Sequence, residues 1–150
     1  MKYMFDIIIL GIIMSIIFYE LTEISPGGLI VPGYIAIYLS QPSKILSTVI
    51  ISMIILLIGK LLSNYVVLYG RRRFAVMVII GIVIRFVLNV GFVGVSVVGL
   101  SIYSSIGYLI PAIIAQDIEK QGFIKTIASM LIVSSLVYFI DIFMISGAFL

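Results

Sequence analysis

The chain has 150 residues, 63% of them hydrophobic and 10% charged, against about 45–50% and about 25% in soluble globular domains. At a mean hydropathy of +1.39 no water-soluble fold of this size hides its apolar surface, and the lack of cysteine and histidine excludes thiol nucleophiles, disulfides, zinc fingers and imidazole acid–base chemistry. The net charge of +3 comes mostly from Arg71, Arg72 and Arg73, which points to membrane topology and anionic lipid and away from nucleic acid.

Runs such as Ile7-Ile8-Ile9-Leu10 and Val76-Met77-Val78-Ile79-Ile80 do not alternate as barrel strands do, so an all-α polytopic membrane protein is expected. The first helix is predicted over about residues 4–19. Lys2 ahead of it resembles the start of a signal peptide, but Phe18-Tyr19-Glu20 is no small-residue cleavage site, so the helix is read as uncleaved. Residues 27–40 follow, apolar yet broken by Pro26-Gly27-Gly28 and Pro32-Gly33. Helices over about residues 44–68 and 74–90 flank the three arginines, whose position between short apolar segments biases them toward the cytoplasm. A second broken stretch, residues 97–115, contains Gly99, Gly107 and Pro111, and a last helix is expected over about residues 123–149.

The two broken stretches resemble each other. Gly28-Leu29-Ile30-Val31-Pro32-Gly33-Tyr34-Ile35-Ala36 aligns with Gly107-Tyr108-Leu109-Ile110-Pro111-Ala112-Ile113-Ile114-Ala115, sharing the first glycine, the proline and the last alanine, and Gln41 falls near Gln121. The expected organisation is one membrane domain of two repeats, about residues 4–68 and 74–149, each a long helix, a Pro/Gly-broken segment and a long helix. Matching interrupted segments in two halves point toward transporter-like architectures. Two topologies stay open. If both broken segments cross the membrane, the repeats are inverted and Lys120 and Lys125 join the arginines in the cytoplasm. If both are re-entrant, four helices span and both termini are cytoplasmic.

Three ionisable residues lie within apolar runs, namely Lys60, Arg85 and Asp141, where an unpaired charge costs at least about 2.5–3.5 kcal/mol. Arg85 with Asp141 is the first candidate pair, since a planar guanidinium suits a carboxylate, and Lys60 can snorkel toward the arginines. Glu20 abuts the first apolar run closely enough to face a cavity. In the broken segments, proline removes a backbone donor and glycine permits close approach. Gly28, Pro32, Gly33, Tyr34, Gly107 and Pro111 are therefore candidates either for lining an anionic path with free amides or for simple helix packing.

These motifs together resemble the CapC/PgsC family, the small membrane subunit of bacterial poly-γ-glutamate capsule synthesis. The resemblance is carried by Phe18-Tyr19-Glu20, Gly28 to Tyr34 with Gln41-Pro42, Leu68-Tyr69-Gly70-Arg71-Arg72-Arg73-Phe74-Ala75, Gly81-Ile82-Val83, Ile110-Pro111 with Ile114-Ala115, and Lys120-Gln121-Gly122. It implies a multi-pass protein of the bacterial plasma membrane that works with a cytoplasmic, Mur-ligase-like amide ligase and a membrane-anchored accessory subunit to polymerise glutamate and move the polymer outward. No cofactor is expected in this chain; it has no Gly-x-x-x-x-Gly-Lys-Ser/Thr loop, so ATP and a divalent metal belong to the partner ligase. The resemblance leaves self-association open. Substrate-path or partner-docking residues would be Glu20, Gly28, Pro32, Gly33, Tyr34, Gln41, Lys60, Arg71, Arg72, Arg73, Arg85, Gly107, Pro111, Gln121 and Asp141. Pro111-Ala112 departs from the Pro-Gly pair of the first repeat, and Asp117 and Glu119 would repel a polyanion. The alternative function is a small stand-alone secondary transporter or channel for an anionic solute.

Overall fold

Six α-helices and no strand make up the described part of the computed structural model, which covers residues 2–65, 70–91, 107 and 109–145, with side chains left out at 2–4, 85, 88–91 and 145. They are α1 (Lys2–Thr22), α2 (Val31–Ile37), α3 (Pro42–Ser63), α4 (Arg71–Gly91), α5 (Leu109–Gln121) and α6 (Phe123–Ile145). The stretches Phe5–Thr22, Pro42–Ser63 and Phe123–Met144 are long and apolar enough to cross a membrane. Their large exposed side chains, among them Ile9, Ile13, Leu57, Ile132, Phe139 and Phe143, would be a liability in water and are the ordinary covering of a helix in lipid.

The helices group into two compact units that are not contiguous in sequence. The first, Met1–Ser40 with Gln121–Leu150, holds α1, α2 and α6. Its centre is Ala36, Val133 and Val137, against which Ile7, Leu10, Met14, Phe18 and Tyr138 pack. Glycine sets how closely α1 meets α2: a methyl on Gly11 would lie 2.4 Å from the Cα of Gly33, and one on Gly33 would lie 3.0 Å from the Cα of Ile8. With no side chain on either helix at this crossing, the backbones touch, the packing mode that drives association where lipid removes the hydrophobic term.

The second unit, Gln41–Lys120, holds α3 and α4, which pack on each other, together with the body of α5. Gly59 of α3 faces the Met77 side chain of α4, whose Cε would be 3.4 Å from an added Cβ. The pairing of residue 59 with residue 77 across the connection makes α3 and α4 an antiparallel hairpin. Buried hydroxyls are satisfied within their own helices: Ser15 Oγ donates to the Gly11 carbonyl at 2.7 Å, Thr48 Oγ1 to Lys44 at 2.7 Å and Ser134 Oγ to Met130 at 2.6 Å. Small polar residues thus face neighbours without leaving an unpaired group in hydrocarbon.

Several boundaries differ from expectation for identifiable reasons. Helix α3 stops at Ser63, not residue 68, because Asn64 and Tyr65 turn their amides onto Leu61 and Leu62 at 3.2 and 3.0 Å, the short bonds that end a helix; residues 66–69 lie outside the described residues. Helix α4 begins at Arg71, so the three arginines form its first turn and do not sit between helices. Gly70, at φ 55°, makes the turn into it. Pro32 and Pro111 interrupt no helix. They stand in the first turns of α2 and α5, where an amide has no intrahelical acceptor to lose, and both are buried. In these first turns neither proline takes an intrahelical bond from its own helix.

Candidate functional site

Polar chemistry gathers at two places, one in each unit. In the second unit a cleft of about 610 Å³ opens where α3 ends and α4 begins, and it also reaches Glu119 near the end of α5. Met53, Leu56, Leu57 and Leu61 are its apolar lining, and Lys60, Ser63, Asn64, Arg73 and Glu119 its polar lining. Helix α3 supplies both because Leu57, Lys60, Leu61 and Asn64 share one face at i, i+3, i+4 and i+7 spacing. Arg73 and Glu119 form an ion pair, Nη2 to Oε1, with the side chains 31% and 15% exposed. That pairing answers an electrostatic problem set by the sequence. Three cations in the first turn of a helix face the positive end of its dipole, a cost of about 0.3–1 kcal/mol each, and Glu119 offsets it at Arg73. Arg71 and Arg72 stay exposed. The Arg73 Nε is buried without a hydrogen-bond partner. Lys60 is exposed.

In the first unit, Gln121 fastens the loop between α1 and α2. Its Oε1 accepts from the Ser25 amide at 3.0 Å, and its Nε2 donates to the Ser25 carbonyl and, at 3.1 Å, to Thr126 Oγ1. Ser129 Oγ also donates to the Ser25 carbonyl at 3.2 Å, and Ser25 Oγ accepts from the Gly28 amide at 3.2 Å. A side-chain amide here imitates a strand pairing with one residue, holding the chain just before Pro26 and Gly27, both buried. Gly27 and Gly28 follow at φ 80° and 104°, backbone that side-chain-bearing residues rarely adopt.

Against these two places the predicted residues sort as follows. Lys60 and Arg73 line one cleft, with Arg71 and Arg72 next to Arg73 in sequence. Gln121 is the fastening residue, and Gly28 is part of the loop it holds. Gly33 serves the α1–α2 crossing, which is the packing alternative. Tyr34 is half-buried in α2, Glu20 is exposed on α1, and Gln41 is exposed just before α3 with no side-chain capping bond; Gln41 therefore does not repeat the bonding of Gln121. Gly107 sits at φ 61° with open space around it. Asp141 is half-exposed on α6. The Arg85 side chain lies outside the described residues, and so does its pairing with Asp141. Sequence reasoning missed Ser25, Thr126 and Ser129, whose hydroxyls and backbone read as turn and helix residues, and it took Glu119 for a repulsive charge, whereas Glu119 is directed at Arg73.

Three helices long and apolar enough to cross a membrane, with buried hydroxyls satisfied within their helices, mark an all-helical protein of the membrane-associated class. The chain belongs to the CapC family of capsule-biosynthesis proteins, whose family model matches residues 10–127. It is 40% identical over 130 residues to the PGA biosynthesis protein CapC of Bacillus subtilis (strain 168), covering 85% of each chain, and 35% identical over 130 residues to the capsule biosynthesis protein CapC of Bacillus anthracis, again covering 85% of each. No solved structure matches it significantly.

Proposed function

We infer that this chain is the membrane subunit of a poly-γ-glutamate synthase and exporter, anchoring a cytoplasmic ATP-dependent amide ligase of Mur-ligase type and forming all or part of the polymer's path. The relatives' names supply capsule and PGA biosynthesis. The observation that carries the assignment of roles is the exposed pair Arg71 and Arg72 at the head of α4, next to Arg73 and near Lys60 across the hairpin. A polymer with one carboxylate per residue cannot enter hydrocarbon unaided, and guanidinium groups offer planar, bidentate recognition of carboxylates. With Glu119 paired to Arg73, that carboxylate does not oppose a polyanion at the cluster.

The topology we favour has α2 and α5 in crossing segments, with the arginines cytoplasmic. The Arg73–Glu119 pair holds the end of α5 level with the start of α4. Within the first unit Gln121 holds Ser25, three residues after the end of α1. Helix α2 rises only about 10 Å at 1.5 Å per residue, so a crossing segment has to draw its remaining reach from the bends and turns that flank it, residues 26–30 and 38–40.

Replacing Arg71 and Arg72 together by glutamine tests the reading in cells. We expect the variant to reach the membrane at the normal level, to co-purify with less ligase and to lower surface polymer at least several-fold. Unchanged ligase recovery together with unchanged surface polymer would remove the arginines from the account.

A further inference from the structure

We propose that the cleft between the end of α3 and the start of α4 is a binding site for an anionic phospholipid, with the phosphate held between the Lys60 ammonium and the Arg73 guanidinium and an acyl chain lying along Leu57 and Met53. The proposal does not depend on what the protein helps to polymerise.

Four features of the cleft converge on this ligand. The first is its lining along α3: Met53, Leu56 and Leu57 come first, and Lys60, Ser63 and Asn64, with Leu61 among them, follow toward the helix end. That order along one helix face matches a lipid's order of tail and headgroup. The second is depth. In the α3–α4 hairpin residue 59 faces residue 77, so Arg73 stands level with about Ser63 and Lys60 about one helical turn deeper, at 1.5 Å per residue. Both cations therefore sit within the last turn or so before the helices end, where a long basic side chain reaches the headgroup layer.

Unfulfilled bonding is the third feature. Arg73 spends Nη2 on Glu119 while its Nε is buried without a partner, and a buried donor left so is destabilising. A phosphate oxygen is a fitting acceptor for it. Lys60 has no ion-pair partner among the described residues. The fourth is charge: two cations against Glu119 leave the polar lining with an excess of one positive charge, suited to a phosphodiester. A zwitterionic headgroup would bring its own ammonium against Lys60. Exposed Leu57, at 61%, and Met53, at 42%, continue the wall outward, so a tail can remain part of the bilayer while its headgroup is held.

A carboxylate-rich polymer shares the anionic chemistry but not the apolar wall, and a direct experiment separates the two. The chain has no tryptophan, so Leu57→Trp places one fluorophore in the cleft wall. The full-length variant is reconstituted in phosphatidylcholine nanodiscs containing a small fraction of phosphatidylglycerol brominated on its acyl chains, and in matched discs where the phosphatidylcholine is brominated instead. We expect quenching to show about a fivefold or greater preference for the anionic lipid at physiological salt, the advantage one cation confers at a membrane surface. Adding Lys60→Gln should abolish most of that preference, whereas Arg71→Gln with Arg72→Gln should change it less than about twofold, since exposed charges are screened within about 8 Å. Native mass spectrometry of the unmodified chain should retain phosphatidylglycerol over phosphatidylcholine in the same ratio, which guards against an effect of the reporter. Equal quenching by both lipids, loss of preference only in the Arg71 and Arg72 variant, or displacement of the brominated lipid by soluble γ-linked glutamate oligomers at millimolar concentration would each overturn the site.

Discussion

Substituting Gly11 by alanine adds a single methyl and tests how the first unit is built. The added carbon would lie 2.4 Å from the Gly33 Cα and 2.7 Å from its nitrogen, against about 3.5–4.0 Å for an ordinary carbon contact. Both neighbours are backbone, so no rotamer change relieves the overlap and α1 and α2 must part by about 1 Å. A gap of that size forfeits up to half of each dispersion contact along the crossing, and overpacking costs about 1–3 kcal/mol, here toward the upper end. Alanine returns up to about 1 kcal/mol in helix propensity, leaving a net loss of about 1–2 kcal/mol. Thermal loss of monodispersity in detergent should begin on the order of 3–6 °C earlier. The matched control is Gly59→Ala, whose nearest neighbour is the flexible end of Met77 at 3.4 Å; it should be neutral or slightly stabilising. If Gly11→Ala is as stable as the parent while Gly59→Ala falls, the backbone-to-backbone crossing is not what holds α1 to α2.

Three other measurements follow from the polar contacts. Gln121→Ala removes both bonds to Ser25 and should cost roughly 2–3 kcal/mol in the same assay, whereas Gln41→Ala, exposed and without such bonds, should cost almost nothing; equal effects would deny Gln121 its fastening role. Arg73→Gln and Glu119→Gln should each lose about 1 kcal/mol or less, since the arginine is nearly a third exposed and solvent screens the pair, and the double variant should lose less than the sum; strict additivity would mean no coupling. Single cysteines replacing Glu20, Arg72 and Lys125 in this cysteine-free chain should all label from the cytoplasmic side with an impermeant maleimide, and labelling of Glu20 or Lys125 from the opposite side would reject the crossing topology.

The helical class, the three helices apolar enough to cross a membrane and the two proline-containing segments were legible because apolar run length and Pro/Gly punctuation are local signals. Partner choice among helices was not. In lipid every apolar face is interchangeable, so nothing in the run of residues 123–149 reveals that α6 joins α1 and α2; the selection lies in the absence of side chains at Gly11 and Gly33 and in Gln121 reaching Ser25, 96 residues away. The prolines were visible but their effect depended on register: in the first turn they open α2 and α5, and in mid-helix they would have broken them. The arginine cluster was the plainest feature of the sequence. That one of its members is answered by Glu119 is a tertiary fact, since a carboxylate 46 residues away reads as repulsive until its direction is known.

We propose that polymer reaches the cell surface through the work of this chain and not merely near it. The most direct measurement is surface polymer in cells that lack the chain but hold the ligase at the membrane through an unrelated helix. Polymer should accumulate inside such cells, with little at the surface, and restoring the chain should return it outside; abundant surface polymer without the chain would contradict the proposed path.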